Sequence, residues 1–85
     1  MSEYVDDRAV VSMIENTIMT YLDINSNAAD TLEGVLNWWL LELPRQVTRA
    51  QVLQAIEELV DENVLEKSIL HDGSAIYVAR KTIRH

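Results

Sequence analysis

The chain has 85 residues, carries a formal net charge of −7 and contains no cysteine. This length supports one domain with a small core, and the lack of cysteine excludes a disulfide framework and a thiolate metal site. No apolar run approaches the roughly 18 residues of a membrane span, and the N-terminus lacks the basic and apolar regions of a signal peptide. We therefore expect a soluble, cytoplasmic, single domain over residues 1–85, with residues 1–5 and 82–85 loose.

The acidic charge belongs to the first half of the chain. Residues 1–43 hold eight acidic residues and one basic residue, whereas residues 44–85 hold six of each. The neutral second half is compatible with nucleic-acid binding, but it lacks the strongly basic face that such binding favours.

A first helix is predicted over residues 6–23. Asp6 and Asp7 favour a helix start, because acidic side chains stabilise the positive end of the helix dipole. With Val11 included, the apolar positions cover about half of the helix circumference, more than the ~100° stripe of a surface helix. Either several elements of the same domain surround this helix, or part of its face pairs with another chain.

A second helix is predicted over residues 31–43. Asp30 and Glu33 have the spacing of a capping box, an apolar stripe at helical spacing follows, and Pro44 ends the helix.

Two large apolar residues of this helix lie off its apolar stripe. Trp38 and Leu41 are about 100–180° from the centre of the stripe in projection, and Gly34 falls between them. In one interpretation the N-terminal helix or the tail folds over them. In the other, Trp38, Leu41, Gly34 and Val11 form a contact surface for a protein partner, because an exposed Trp is a common interface anchor. Trp39 is expected in the core in both cases.

A third helix is predicted over residues 49–62. Thr48 and Gln51 have the spacing of a capping box, and Asn63 is expected to end the helix because Asn tolerates the left-handed conformation.

Two strands, residues 64–70 and 75–80, are predicted after this helix. Asp72-Gly73 between them indicates a hairpin with a type I′ turn, which needs positive φ at both central residues. The apolar stripes of the three helices predict a shared core made of Ile14, Ile18, Leu36, Trp39, Leu40, Val52, Ile56 and Leu59.

Residues 8–80 resemble the winged helix-turn-helix superfamily. The resemblance rests on the Thr48-capped helix, on Asn63-Val64-Leu65 where members usually have Gly-Leu-Ile, and on the Asp-Gly wing tip. It implies a mostly α fold with a small β-hairpin, in which three helices are followed by a two-stranded wing. It also implies a brief strand that begins near Ile24. Most members of the superfamily bind DNA, and a sizeable minority bind only proteins.

The resemblance implies DNA contacts from the third helix and the wing. Arg45 and Arg49 flank the helix end that meets base edges in DNA-bound members, and Gln51 and Gln54 are suited to adenine. Ordinary solvated positions are the simpler interpretation, and the carboxylates among residues 57–61 would repel a phosphate backbone. The candidate nucleic-acid contacts are Arg45, Thr48, Arg49, Gln51, Gln54, Lys67, Arg80 and Lys81.

No catalytic constellation is recognisable in the sequence. His71 and His85 lack a His, Cys or Glu partner at metal-ligand spacing, and Gly34 and Gly73, the two glycines, form no phosphate-binding loop. The carboxylates are expected on exposed helix faces and caps, where raised pKa values are not expected. We therefore expect no enzyme activity, cofactor, metal or small-molecule substrate.

These observations favour a non-enzymatic winged-helix protein that acts as a protein-interaction or regulatory adaptor. Its expected partner is another protein or a second copy of the chain, and no membrane is involved. The alternative is a DNA-binding transcriptional regulator that uses the helix at 49–62 and the wing at 64–80.

Overall fold

A computed structural model describes residues 7–41, 43 and 47–80 of the chain. Their elements, in chain order, are α1 (Asp7–Ile24), β1 (Ala29–Asp30), α2 (Leu32–Gly34 continued by a π-helical segment, Val35–Trp39), α3 (Arg49–Asp61), β2 (Leu65–Ile69) and β3 (Ala75–Ala79). The three predicted helices and the predicted hairpin are confirmed. Among the described residues, no helix combines the length and apolar character needed to cross a membrane.

The strands form one antiparallel sheet in the order β1-β3-β2. β2 and β3 pair from Leu65↔Ala79 to Ile69↔Ala75, and β1 adds Ala29↔Val78 on the other edge of β3. The expectation of a two-stranded wing is therefore wrong, because the described sheet has a third strand. That strand begins at Ala29 rather than near Ile24, since α1 continues through Ile24 before the chain turns.

The core lies where α1 packs against α3, with α2 and the sheet closing it. Seven of the eight predicted core residues are buried, and the eighth, Leu36, is half-buried against the edge of the core. Burial of α3 side chains such as Val52 and Ile56 is complete. The buried apolar set is Val10, Val11, Ile14, Ile18, Val35, Trp39, Leu40, Val52, Ala55, Ile56, Leu59, Leu65 and Tyr77.

Side-chain caps fix where α2 and α3 begin. At α3, the backbone N–H of Gln51 donates to Thr48 Oγ1 at 3.0 Å and the N–H of Thr48 donates to Gln51 Oε1 at 2.9 Å, which confirms the predicted capping box. At α2 the predicted cap is wrong by one residue. Thr31 caps this helix by accepting from the Gly34 N–H at 3.2 Å, because Asp30 is held in β1 opposite Tyr77.

The C-terminus of α3 is closed by a Schellman motif. Asn63 has φ of 66°, and its N–H donates to the Val60 carbonyl at 3.0 Å while the Val64 N–H donates to the Leu59 carbonyl at 2.8 Å. The prediction that Asn63 ends the helix is confirmed, and the motif turns the chain directly into β2.

The π-helical part of α2 ends the helix earlier than predicted. The Leu40 N–H donates to the Val35 carbonyl at 3.2 Å, an i→i+5 bond. Regular helix stops at Trp39 instead of Leu43, and Pro44 lies outside the described residues.

The hairpin turn differs from the predicted type I′ turn. Among the described non-glycine residues only Asn63 has positive φ, so Asp72 does not, whereas Gly73 has φ of 90°. The Gly73 N–H donates to the Leu70 carbonyl at 2.9 Å. This geometry matches a three-residue hairpin loop with glycine in the left-handed position. The Asp72 carboxylate tightens it by accepting from the Ser74 N–H and hydroxyl.

Candidate protein-binding groove

An open groove of about 790 Å³ runs along the outer face of α1 beside the end of α2. Three large apolar side chains on it are exposed: Ile24 by 78%, Leu41 by 69% and Trp38 by 62%. Such contiguous apolar surface commonly marks an interaction site. The lining residues are Ala9, Ser12, Met13, Asn16, Thr17, Thr20, Tyr21, Ile24, Trp38, Trp39 and Leu41.

The floor of the groove is a pair of stacked aromatic rings. The ring centroids of Tyr21 and Trp39 are 5.0 Å apart with 13° between their planes. Trp39 is only 3% exposed, whereas its neighbour Trp38 is 62% exposed, since successive helical residues point about 100° apart. Trp38 therefore faces solvent in the groove, whereas Trp39 packs against Tyr21.

Among the described residues that line the groove, no side chain carries a charge, although the whole chain has a net charge of −7. The polar residues that line the groove are amide- and hydroxyl-bearing residues of α1. The Thr17 hydroxyl already donates to the Met13 carbonyl at 2.9 Å. The groove is therefore suited to a neutral, largely apolar ligand surface.

Two of the four predicted interface residues lie in the groove and two do not. Trp38 and Leu41 line it and are exposed. Val11 is fully buried, because it points from α1 into the core. Gly34 is also buried, and a Cβ placed on it would come within 2 Å of the Asp30 carboxyl group. The expectation that Val11 and Gly34 belong to an exposed patch is wrong.

The candidate DNA contacts at the start of α3 are engaged within the chain. Arg49 forms an ion pair with Glu33. The Gln51 side chain donates to Asp7 Oδ1 at 2.7 Å as well as accepting from the Thr48 N–H.

The remaining candidate DNA contacts are spread over the fold. The Gln54 amide donates to Glu58 at 3.3 Å. Lys67 and Arg80 are exposed on β2 and just after β3. Arg45 and Lys81 lie outside the described residues.

Two carboxylates, Glu15 on α1 and Glu58 on α3, share a contact with Arg8 that was not expected from the sequence. The Arg8 guanidinium contacts both Glu58 oxygens, at 2.8 and 3.0 Å, and lies 3.4 Å from Glu15. Burial, followed by the nearby Glu58 and Glu62 carboxylates, raises the pKa of Glu15 to about 7. The hydrogen bonds from Arg8, Glu15 and Gln54 lower the pKa of Glu58 to about 2.

The expectation that raised pKa values would be absent is therefore wrong at Glu15. The sequence carried a partial signal, because Arg8 and Glu15 are seven residues apart and lie on one face of α1. The contact with Glu58, fifty residues after Arg8, depends on how α1 packs against α3.

Glu15→Gln is expected to stabilise the protein above neutral pH. The pKa of Glu15 is higher in the folded protein than its ordinary value of 4.5, so the folded state binds this proton more tightly than the unfolded state. The parent should lose stability as pH rises from about 4.5 to about 7, and the glutamine variant should not. Urea unfolding should show the variant more stable by about 1–3 kcal/mol at pH 8 and equal to the parent near pH 4.

Glu57→Gln is the control for this comparison, because Glu57 is exposed on the outer face of α3. It should leave the pH dependence unchanged. If the stability of the parent and of Glu15→Gln changed equally with pH between pH 5 and pH 8, the raised pKa of Glu15 would be contradicted.

Within the described part of the chain, no three His, Cys, Asp or Glu side chains group as a metal site would require. His71 is exposed at the hairpin loop, and His85 lies outside the described residues. No protein-family model, no curated protein and no solved structure matches this chain.

Proposed function

We propose that this chain is a non-enzymatic winged-helix module that binds another protein and acts as a regulatory adaptor. The winged-helix assignment is supported by the order of elements, α1-β1-α2-α3-β2-β3, and by the hairpin that follows α3 directly. The cap on Thr48 and the Schellman motif at Asn63 give α3 the abrupt ends that a recognition helix in this superfamily has.

The observation that carries the proposed function is the groove itself, whose described lining is uncharged and includes the exposed Trp38. Interface hot spots are enriched in Trp and lie over well-packed pockets, and the Tyr21–Trp39 stack supplies such a base. Leu41 and Ile24 add two further exposed apolar side chains to the same groove. A partner that presents an apolar helix or strand would bury all three side chains.

DNA binding through α3 is the less favoured function. To reach a phosphate or a base, Arg49 would have to leave Glu33 and Gln51 would have to leave Asp7. The exposed carboxylates of Glu57 and Asp61 on the same helix would then face the DNA backbone. We expect weak or undetectable duplex binding at physiological salt, and any binding should fall steeply as salt rises.

Peptide display against the dilute protein tests the proposed function. Selected peptides should bind the parent and lose at least about tenfold in affinity on Trp38→Ala, as for a truncated hot-spot residue. Ile69→Ala is the matched control, because Ile69 is 61% exposed and lies on β2, away from the groove. This control should bind the peptides like the parent.

A salt-titrated DNA-binding assay on the same proteins completes the test. Nanomolar duplex affinity at about 0.15 M salt that is lost on Arg49→Ala would favour the DNA-binding function. Peptides that bind the parent and Trp38→Ala with equal affinity would contradict the proposal that the groove is the protein-binding site.

A further inference from the structure

We propose that Arg8, Glu15 and Glu58 form a pH-sensitive latch, which holds α1 against α3 while Glu15 carries a proton and loosens when that proton is lost. None of these three residues is among the described residues that line the groove. The latch is therefore a property of the fold beyond the proposed function, and it is tested separately.

The latch consists of two carboxyl groups that share one guanidinium group. Arg8 contacts both oxygens of Glu58, at 2.8 and 3.0 Å, and lies 3.4 Å from Glu15. Both carboxyl groups are partly withdrawn from water, since the Glu15 side chain is 15% exposed and that of Glu58 is 30% exposed. One positive charge balances only one of the two negative charges, so a proton on Glu15 makes the three groups neutral together. A partly buried cluster is more stable without an unbalanced charge.

The surroundings of Glu15 favour this proton. Burial raises its pKa most, Glu58 and Glu62 on α3 raise it further, and Arg8 on its own helix lowers it, with a result of about 7. The protonated carboxyl group of Glu15 donates a hydrogen bond to Glu58, which joins α1 directly to α3. Loss of the proton replaces this hydrogen bond with repulsion between two like charges.

Detachment of α1 from α3 is the motion that this proton opposes. α1 is the first described helix, and it packs against α3. The strands of the sheet pair with one another and not with α1. Proteins open locally in such contiguous units at lower cost than they unfold globally. Once α1 is detached, Glu15 returns to water and to its ordinary pKa of 4.5.

The sign of the pH dependence follows from these two pKa values. The attached state keeps the proton up to about pH 7, whereas the detached state keeps it only up to about pH 4.5. Raising the pH from about 4.5 to about 7 therefore favours detachment, and a further rise has little effect. Glu58 adds little in this range, because it is ionised in both states above its ordinary pKa of 4.5.

Amide hydrogen exchange followed by NMR, corrected for the intrinsic rate at each pH, tests the latch. The opening constants of the α1 amides from Val11 to Ile18 should exceed those of the β3 amides and should rise at least about tenfold between pH 5 and pH 8. In Glu15→Gln they should stay constant, because the side chain no longer titrates. In Glu57→Gln, a change on the exposed face of α3, they should follow the parent.

NMR titration of the Glu15 carboxyl carbon tests whether the two helices share the proton. In Glu58→Gln the midpoint should fall by at least about one pH unit, because the negative charge that faces Glu15 is removed. In Glu57→Gln the midpoint should remain that of the parent. Thermal melts check that each variant is folded.

Opening constants of the α1 amides that are equal at pH 5 and pH 8 would overturn the latch. So would α1 and β3 amides that open equally at every pH, because α1 would then detach only when the whole domain unfolds. A Glu15 midpoint that is unchanged in Glu58→Gln would show that burial alone holds the proton, and it would overturn the sharing of the proton between α1 and α3.

Discussion

Ile56→Ala is expected to lower the free energy of unfolding by roughly 2–5 kcal/mol, the usual cost of truncating a fully buried isoleucine. Ile56 has no exposed surface and lies on the face of α3 that packs against α1. Folded domains are stable by only about 5–15 kcal/mol, and 85 residues make a small core, so the variant should be largely unfolded at modest urea concentration.

Leu53→Ala is the matched control on the same helix. Leu53 lies three residues before Ile56 but is 38% exposed, so its truncation should have a much smaller effect. Leu36→Ala should fall between the two, because Leu36 is half-buried at the edge of the core. Equal urea midpoints for the parent and Ile56→Ala would contradict the burial of Ile56 between α3 and α1.

Trp39→Ala is expected to cost about 3–5 kcal/mol, as for other buried aromatic residues. Trp39 is 3% exposed and its ring stacks on Tyr21, so truncation opens a cavity under the groove. Trp38→Ala should change stability by no more than about 0.5 kcal/mol, because surface substitutions rarely exceed that. Thermal melts of Trp38→Ala and Trp39→Ala compare the stability that each of these adjacent tryptophans contributes.

A double-mutant cycle separates the ring stack from general packing. Tyr21→Leu removes the aromatic partner of Trp39 while keeping apolar bulk. The coupling between Tyr21→Leu and Trp39→Ala should be about 0.5–1.5 kcal/mol, the usual value for an aromatic pair.

A Trp38→Ala variant that melts as low as Trp39→Ala would contradict the assignment of Trp38 to the groove rim and of Trp39 to the core.

Signals confined to a few neighbouring residues predicted the structure well. The Thr48–Gln51 cap depends on one turn of chain, and the helix stop at Asn63 on one backbone conformation. The different roles of Trp38 and Trp39 follow from helical geometry at two consecutive positions. In each case the physical cause lies within about one turn, so the sequence contains it.

Features made by distant parts of the chain could not be predicted in this way. Val11 was expected in an interface because its neighbours in α1 do not reveal that other elements cover it. Gly34 is required by the Asp30 carboxyl group, which β1 places against it. The pKa of Glu15 is raised first by burial and then by Glu58, a residue on another helix. These contacts depend on packing, which periodicity within one helix does not encode.

The sequence singled out two of the residues that line the groove. Trp38 and Leu41 stood out because they lie off the apolar stripe of α2. These two residues locate the side of the groove that α2 and the residues after it provide. The other wall is the outer side of α1, which includes Asn16 and Thr20. No sequence signal distinguishes polar residues that line a groove from those that face open solvent.

The order of strands in the sheet has a consequence for synthesis. β3 is the last strand along the described chain, yet it lies in the middle of the sheet, between β1 and β2. A nascent chain that has reached Ser74 therefore carries both edge strands without the strand that joins them. At about 5–20 residues per second the ribosome adds the five residues of β3 in about 0.25–1 s. The whole sheet then becomes available to form in a single late step.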